Sequence, residues 1–246
     1  MNKFLLLFAC FTLCYSYSNA QNGQPTAVKI KRFHHPDKNS LVTDSAGKVL
    51  PYENWHDLIM TGEYTFKTKQ LGADSLGFIL VKLSKEELAE QEANRPEPIS
   101  GPFFTNGEHI KPFDIKDINK FKFNAGDWAG KIVVLNFWFI DCPPCRQEIP
   151  ELNKIVAAHA NEQDVVFIGI CLDSQSDLEK FIKDKPFSYH LVADGRSYTK
   201  NLGINSYPVN VIVDKQGIVR YNTTGYGPGW AKWIAEVIDK CKKEHG

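Results

Sequence analysis

Cys142-Pro143-Pro144-Cys145 sets two thiols two residues apart, and no other cysteines of the chain are placed to do comparable chemistry. This spacing lets the sulfurs close a disulfide of about 2.05 Å. Where it opens a helix, it also sets the first sulfur against the unsatisfied N–H groups of the helix start. The thiolate is the reactive species, so Cys142 is expected to be the nucleophile and Cys145, one turn inward, the buried resolving thiol. Pro143 and Pro144 preset φ for a first helical turn but carry no N–H. The Cys142 sulfur is left chiefly to the N–H of Cys145, and Asp141 adds a negative charge beside it. Both features hold the thiolate only moderately stable and bias the pair towards a reductant.

The elements around the pair decide between redox chemistry and its rivals. Lys131 to Phe139 is a run of β-branched and aromatic residues that reads as a strand buried on both faces, and the cysteines follow it directly. Half of a zinc site would need a second ligand pair. Cys171 and Cys241 are isolated, and the seven histidines are scattered apart from His34-His35. The strand-to-helix context therefore favours a redox pair over a metal site or an inert bridge. Asp164 to Cys171, Ser188 to Val192 and Val209 to Val213 are further strands. Helices fit after Cys142, with Ile149, Leu152 and Val156 on one face, and over Ser174 to Lys183. Asp214-Lys215-Gln216-Gly217 turns into a hairpin with Ile218 to Thr223. Trp230, Trp233, Ile234, Val237, Ile238 and Cys241 recur at helical spacing, the buried stripe of a C-terminal helix. Alternating strands and helices give an α/β domain.

Upstream, Asn94 to Pro102 carries three prolines and a glycine and reads as a linker, dividing residues 21–100 from residues 101–246. The earlier region suggests strands at Ala27 to Phe33 and Ser75 to Leu83, a turn at Asp44-Ser45-Ala46-Gly47, and a helix opened by the capping box Ser84-Lys85-Glu86-Glu87. It reads as a small α+β accessory region without an assignable role. Residues 1–20 look like a signal peptide: Lys3, the apolar stretch Phe4 to Tyr15, then Ser18-Asn19-Ala20. Lipidation at Cys10 is a rival, with Phe8 bulky for that motif and the apolar run short.

The 246 residues hold 29 basic and 29 acidic side chains, and 43% are hydrophobic. That is a globular composition. Its neutral balance offers no broad footprint for nucleic acid, which is not expected as a partner. No stretch reaches the roughly 18 apolar residues of a spanning helix.

Val133 to Pro150, with Asn136-Phe137-Trp138 ahead of the cysteines and Arg146-Gln147-Glu148-Ile149-Pro150 behind them, resembles the active-site segment of thioredoxin-like thiol-disulfide reductases of the extracytoplasmic TlpA/ResA type. The resemblance spans roughly residues 101 to 246. It implies a thioredoxin fold, a central mixed sheet flanked by helices, with the accessory region in front. It also implies a helix-kinking Pro150, a cis Pro208 after Tyr207 that faces the disulfide and receives substrate backbone, and a hairpin turn at Asp214 to Gly217. Two departures from the pattern stand out: Asp141 stands where tryptophan is frequent, and Val209-Asn210 follows the proline where threonine is common.

Glu148, three residues after Cys145, shares its helix face. The resemblance implies proton transfer to the cysteines; the plain alternative is a first-turn acid favoured by the helix dipole. Asn136 shares strand parity with Val134 and Trp138, where ordinary thioredoxins carry an ionisable aspartate, and it reads as structural and locally hydrogen-bonded. Pro143, Pro144, Asn136 and Trp138 are expected to support the site. Cys171 and Cys241 read as packed small hydrophobes, and His34-His35 as a solvated pair. The expected activity is reduction of protein disulfides outside the cytoplasm, with no cofactor. By resemblance, a membrane thiol-disulfide transporter supplies electrons and apocytochrome c is a possible substrate. A thiol peroxidase and an N-terminal binding module are the alternatives.

Overall fold

The computed structural model describes residues 36–71 and 76–244. The signal-peptide reading, Cys10, the Ala27 to Phe33 strand, His34-His35 and Ser75 lie outside them.

The chain begins with β1 (Val42–Thr43), α1 (Tyr52–Met60), β2 (Tyr64–Gln70), β3 (Leu76–Lys82) and α2 (Lys85–Ala93). The three strands form a sheet in the order β1-β3-β2, with β1 parallel and β2 antiparallel to β3. Alternation along β3 turns Phe78 and Leu80 inward, where they meet Val42 and Trp55 of α1. The turn at Asp44 forms as expected, its Oδ1 accepting from the N–H groups of Ala46 and Lys48. So does the Ser84 capping box, with reciprocal bonds between Ser84 and Glu87. The helix α1 and strand β2 are absent from the sequence reading: Tyr52, Trp55, Leu58 and Ile59 recur at helical spacing but only over nine residues, and Tyr64–Gln70 is mostly polar.

The Pro-rich stretch after α2 lies against the rest of the molecule. Arg95 donates to the carbonyl of Pro228, Pro98 is buried, and Gly101 runs so close to Asn222 and Thr224 that a Cβ there would collide with the Thr224 hydroxyl.

A short antiparallel pair, β4 (Ile115–Lys116) and β5 (Lys122–Phe123), leads into β6 (Ile132–Trp138), α3 (Pro143–Ala158), β7 (Val165–Cys171), α4 (Gln175–Asp184), β8 (His190–Val192), α5 (Arg196–Asn201), β9 (Val209–Val213), β10 (Val219–Thr224) and α6 (Ala231–Lys243). The five-stranded sheet has the order β10-β9-β6-β7-β8. Here β6, β7 and β8 are parallel, and β9 and β10 run antiparallel to their neighbours. This is the mixed sheet that the resemblance implied. Every side chain of β6 is buried. Ile132, Val134 and Trp138 face the layer containing Ile149, Leu152 and Ile155 of α3 and Ile234, Val237 and Ile238 of α6. Val133, Leu135 and Phe137 face Ile115, Phe123, Trp128 and Ile204. Two covered faces explain why β6 reads as a continuous apolar run.

Candidate redox site

The site grows from the junction of β6 and α3. Cys142 is the N-cap of α3, in extended backbone, and its sulfur accepts the N–H of Cys145 at 3.3 Å. Pro143 and Pro144 fill the first helical positions, where their missing N–H groups cost no ladder bond. Cys142 and Cys145 are joined by a disulfide with Cα atoms 5.2 Å apart. Both cysteines are buried, at 3% and 1% exposure, although Asp141 and Pro143 beside them are exposed. Pro150 sits inside the helix and removes the bond its N–H would have given to Arg146.

The loop before β9 supplies the second wall. The Tyr207–Pro208 peptide is cis. Tyr207 packs edge-on against Phe139 at 5.5 Å, and its hydroxyl donates to the carbonyl of Ile204. The Pro208 carbonyl accepts the N–H of Gly225, tying this loop to the segment after β10. Behind the cysteines Trp138 is buried between Phe181 and Phe187, at 5.4 and 5.5 Å. Asp173 braces the strand exit: its Oδ2 accepts the N–H of Ile140 at 2.7 Å and lies 3.5 Å from the Cys171 sulfur. Cys171 and Cys241 are fully buried free thiols, and burial pushes them up to about 12 and about 11. Both are packed as hydrophobes and protonated at neutral pH.

Glu148 enters the same apolar layer, buried at 4% exposure. Register explains what meets it. Asn136 of β6 is directly opposite Asn210 of β9. Their parity partners Val134 and Ile212 both face the α3 layer, so the two amides point at the helix together. Nδ2 of Asn136 donates to Oε1 of Glu148 at 2.6 Å and to Oδ1 of Asn210 at 2.9 Å; Nδ2 of Asn210 donates to Oε2 of Glu148 at 2.9 Å. Burial pushes Glu148 up to about 8, against the pull of the Asn210 and Asn136 hydrogen bonds. The expectation that Asn136 bonds locally is therefore corrected. Its partners lie 12 and 74 residues away, because a strand interior offers a side-chain amide no nearby free backbone group. In the sequence Asn210 stands out only as part of a departure from the family pattern. The available signal was a lone amide inside the apolar run Val209-Asn210-Val211-Ile212-Val213, matching the lone amide of β6.

The arrangement can hold a dithiol or a disulfide, with a buried carboxyl on the same helix and the aromatic pair Phe139–Tyr207 beside it. Residues 106–222 match the AhpC/TSA family. The chain is 30% identical over 135 residues to the thiol:disulfide interchange protein DsbE of Pseudomonas aeruginosa, covering 52% of this chain and 72% of that protein. It is 29% identical over 135 residues to the thiol-disulfide oxidoreductase ResA of Halalkalibacterium halodurans, covering 54% and 76%. It is 28% identical over 116 residues to the thioredoxin-like protein YneN of Bacillus subtilis, covering 46% and 68%. The fold is shared with a solved DsbE-type thiol:disulfide interchange protein of Chlorobium tepidum at TM-score 0.51 and 22% identity, over 56% of this chain and 98% of that one. It is also shared with a solved protein from Bacteroides thetaiotaomicron, described as a protein disulfide isomerase, at TM-score 0.52 and 24% identity, over 58% and 94%. The chain thus belongs to the thioredoxin-like thiol-disulfide oxidoreductases of the TlpA/ResA type.

Proposed function

We propose that this enzyme is exported and works as a reductant of protein disulfides, with Cys142 as nucleophile, Cys145 as resolving thiol and Glu148 as the proton acceptor. The observation that carries the reading is the Cys142–Cys145 disulfide at the start of α3, where the Cys145 N–H is the donor directed at the Cys142 sulfur. Starting from the dithiol, the Cys142 thiolate attacks one substrate sulfur. A Cys142–substrate bond forms, and the other substrate sulfur leaves as a thiolate. The Cys145 thiol gives its proton to the Glu148 carboxylate and attacks the Cys142 sulfur. The second substrate sulfur departs, two electrons have passed to the substrate, and the enzyme is left in the disulfide form. No cofactor takes part.

Tyr207, packed on Phe139 and against the cluster that holds the cysteines, and the cis Pro208 after it are assigned to the substrate backbone, with Trp138, Asn136, Pro143 and Pro144 holding the site. The apolar stretch Phe4 to Tyr15 followed by Ser18-Asn19-Ala20 supports delivery to the periplasm, where a membrane thiol-disulfide transporter would restore the dithiol. Apocytochrome c is the substrate that the kinship with ResA and DsbE suggests.

Trapping tests the reading. With Cys145→Ala the mixed disulfide cannot be resolved, so substrate should stay attached to Cys142 and be released by added dithiol. Absence of any Cys142 adduct with disulfide-bonded protein substrates, together with peroxide consumption by the reduced wild type, would replace the reductase reading with a thiol peroxidase.

A further inference from the structure

Glu148 is faced by few groups that could favour its charge. From its own helix comes Glu151, one of whose oxygens is unpartnered, and the redox pair stands one turn towards the N-terminus. From the elements packed against it come Tyr189 ahead of β8, Tyr221 of β10 and Tyr226 in the segment after β10. The hydroxyl of Tyr189 is buried without a hydrogen-bond partner among the described residues, that of Tyr221 is buried beside Thr223, and that of Tyr226 is held by Glu151. None of these carries a positive charge. The favourable contacts to the carboxyl come from two amides.

The wiring of those amides is closed. Asn136 has two N–H bonds, and both are used: one on Glu148, one on the Asn210 carbonyl. Asn210 then has its NH2 turned to the other Glu148 oxygen. Each amide is thereby locked by the other with its donor side towards the carboxyl. If Glu148 became a donor through either of these oxygens, one amide would have to flip to accept. That flip would set two donors or two acceptors face to face across the Asn136–Asn210 contact. A carboxylate satisfies all three contacts as they stand.

We infer that Asn210, locked by Asn136, is a positioning residue that forms a carboxylate clamp and sets the pH at which Glu148 ionises, and through it the pH at which Cys145 can resolve a mixed disulfide. The second half rests on the proposed role of Glu148; the first half does not. Threonine at this position would offer a single hydroxyl donor in place of the NH2 and carbonyl that close the ring.

The test reads the carboxyl directly. In the oxidised full chain labelled with 13C at the glutamate carboxyls, the Glu148 resonance is identified by its loss in Glu148→Gln and titrated. Asn210→Leu should move its midpoint upward by about one pH unit, the loss expected for one charge-assisted bond. Asn210→Ala should move it in the same direction, and Asn210→Thr should fall between these and the wild type. If the leucine variant fails to fold, the alanine variant carries the test. A midpoint that stays in place or falls in a folded variant overturns the clamp. Separately, the pH profile of thiol alkylation in the reduced protein should shift upward in the same order. If it ignores Asn210 and is also unchanged in Glu148→Gln while the carboxyl midpoint moves, the clamp stands and the proton role of Glu148 falls.

Discussion

The two main sheets of this protein use their strands differently. All seven side chains of β6 are buried, whereas the last four of β2 are exposed and α2 buries no side chain. The larger sheet, closed off on both faces, provides the low-dielectric setting in which a carboxyl can be raised and two amides can matter to it. The smaller sheet has one modest apolar cluster around Trp55 and Phe78. It reaches the other region through polar contacts from its exit: Arg95 on the Pro228 carbonyl, held by Glu92 at 3.1 Å, and Lys232 on the Glu92 carbonyl at 2.9 Å. The first contact falls on the segment after β10 that also carries Gly225, the donor to Pro208, and the second on the first turn of α6. Gly229 in that segment has φ of +77°, and a Cβ there would strike the Arg95 guanidinium. One region holds the chemistry, and the other braces a loop that borders it.

The strongest way to break this division is Cys142→Ser. It should abolish disulfide reduction while leaving the thermal unfolding of the smaller sheet unchanged, as read by insulin reduction beside a melting curve. Retained activity would move the chemistry out of the larger region.

The next effect is a pH dependence of stability. The folded-state value for Glu148, about 8, stands above its ordinary 4.5. Between those limits the folded chain binds more protons than the unfolded one, and stability therefore falls as pH rises through the window. Relative to Glu148→Gln, the wild type should lose roughly 4 kcal/mol from pH 4.5 to 8. Urea unfolding at intervals across the window measures this, and parallel curves for the two proteins would contradict it.

Smaller again is Arg95→Ala. Losing a half-buried guanidinium that donates to a carbonyl should cost about 1–3 kcal/mol and lower reductase turnover only a few-fold, because the sulfurs are untouched. A loss as complete as that of Cys142→Ser would make the smaller region part of the catalytic machinery. The least effect belongs to Ser84→Ala, which removes the cap of α2 and should cost about 1 kcal/mol in chemical denaturation without altering turnover.

The difference between the regions also governs what could be read from the residues. β6 and β9 are legible because continuous apolar runs need two covered faces. α3 is legible because Cys142, Pro143 and Pro144 write a helix start locally. The capping box at Ser84 and the turn at Asp44 are local in the same way. In the smaller region β2 is hard to read because its last four side chains, Lys67 to Gln70, are all exposed, and α1 because its apolar spacing spans only nine residues.

By itself, the sequence determined the redox pair, the strand-to-helix junction that holds it, and the five strands of the larger sheet with α3, α4 and α6, but not β4, β5 or α5, since each element so determined has a pattern over residues a few positions apart. Only the tertiary structure decided that Asn136 and Asn210 meet. Strand register, set by the packing of whole faces, brings residues 74 positions apart into one hydrogen bond. It likewise decided that Glu148 is buried between them rather than left as a solvated acid of the first turns of α3. Spacing along a chain reports which face a side chain takes, but its partner across the core depends on how separate elements dock.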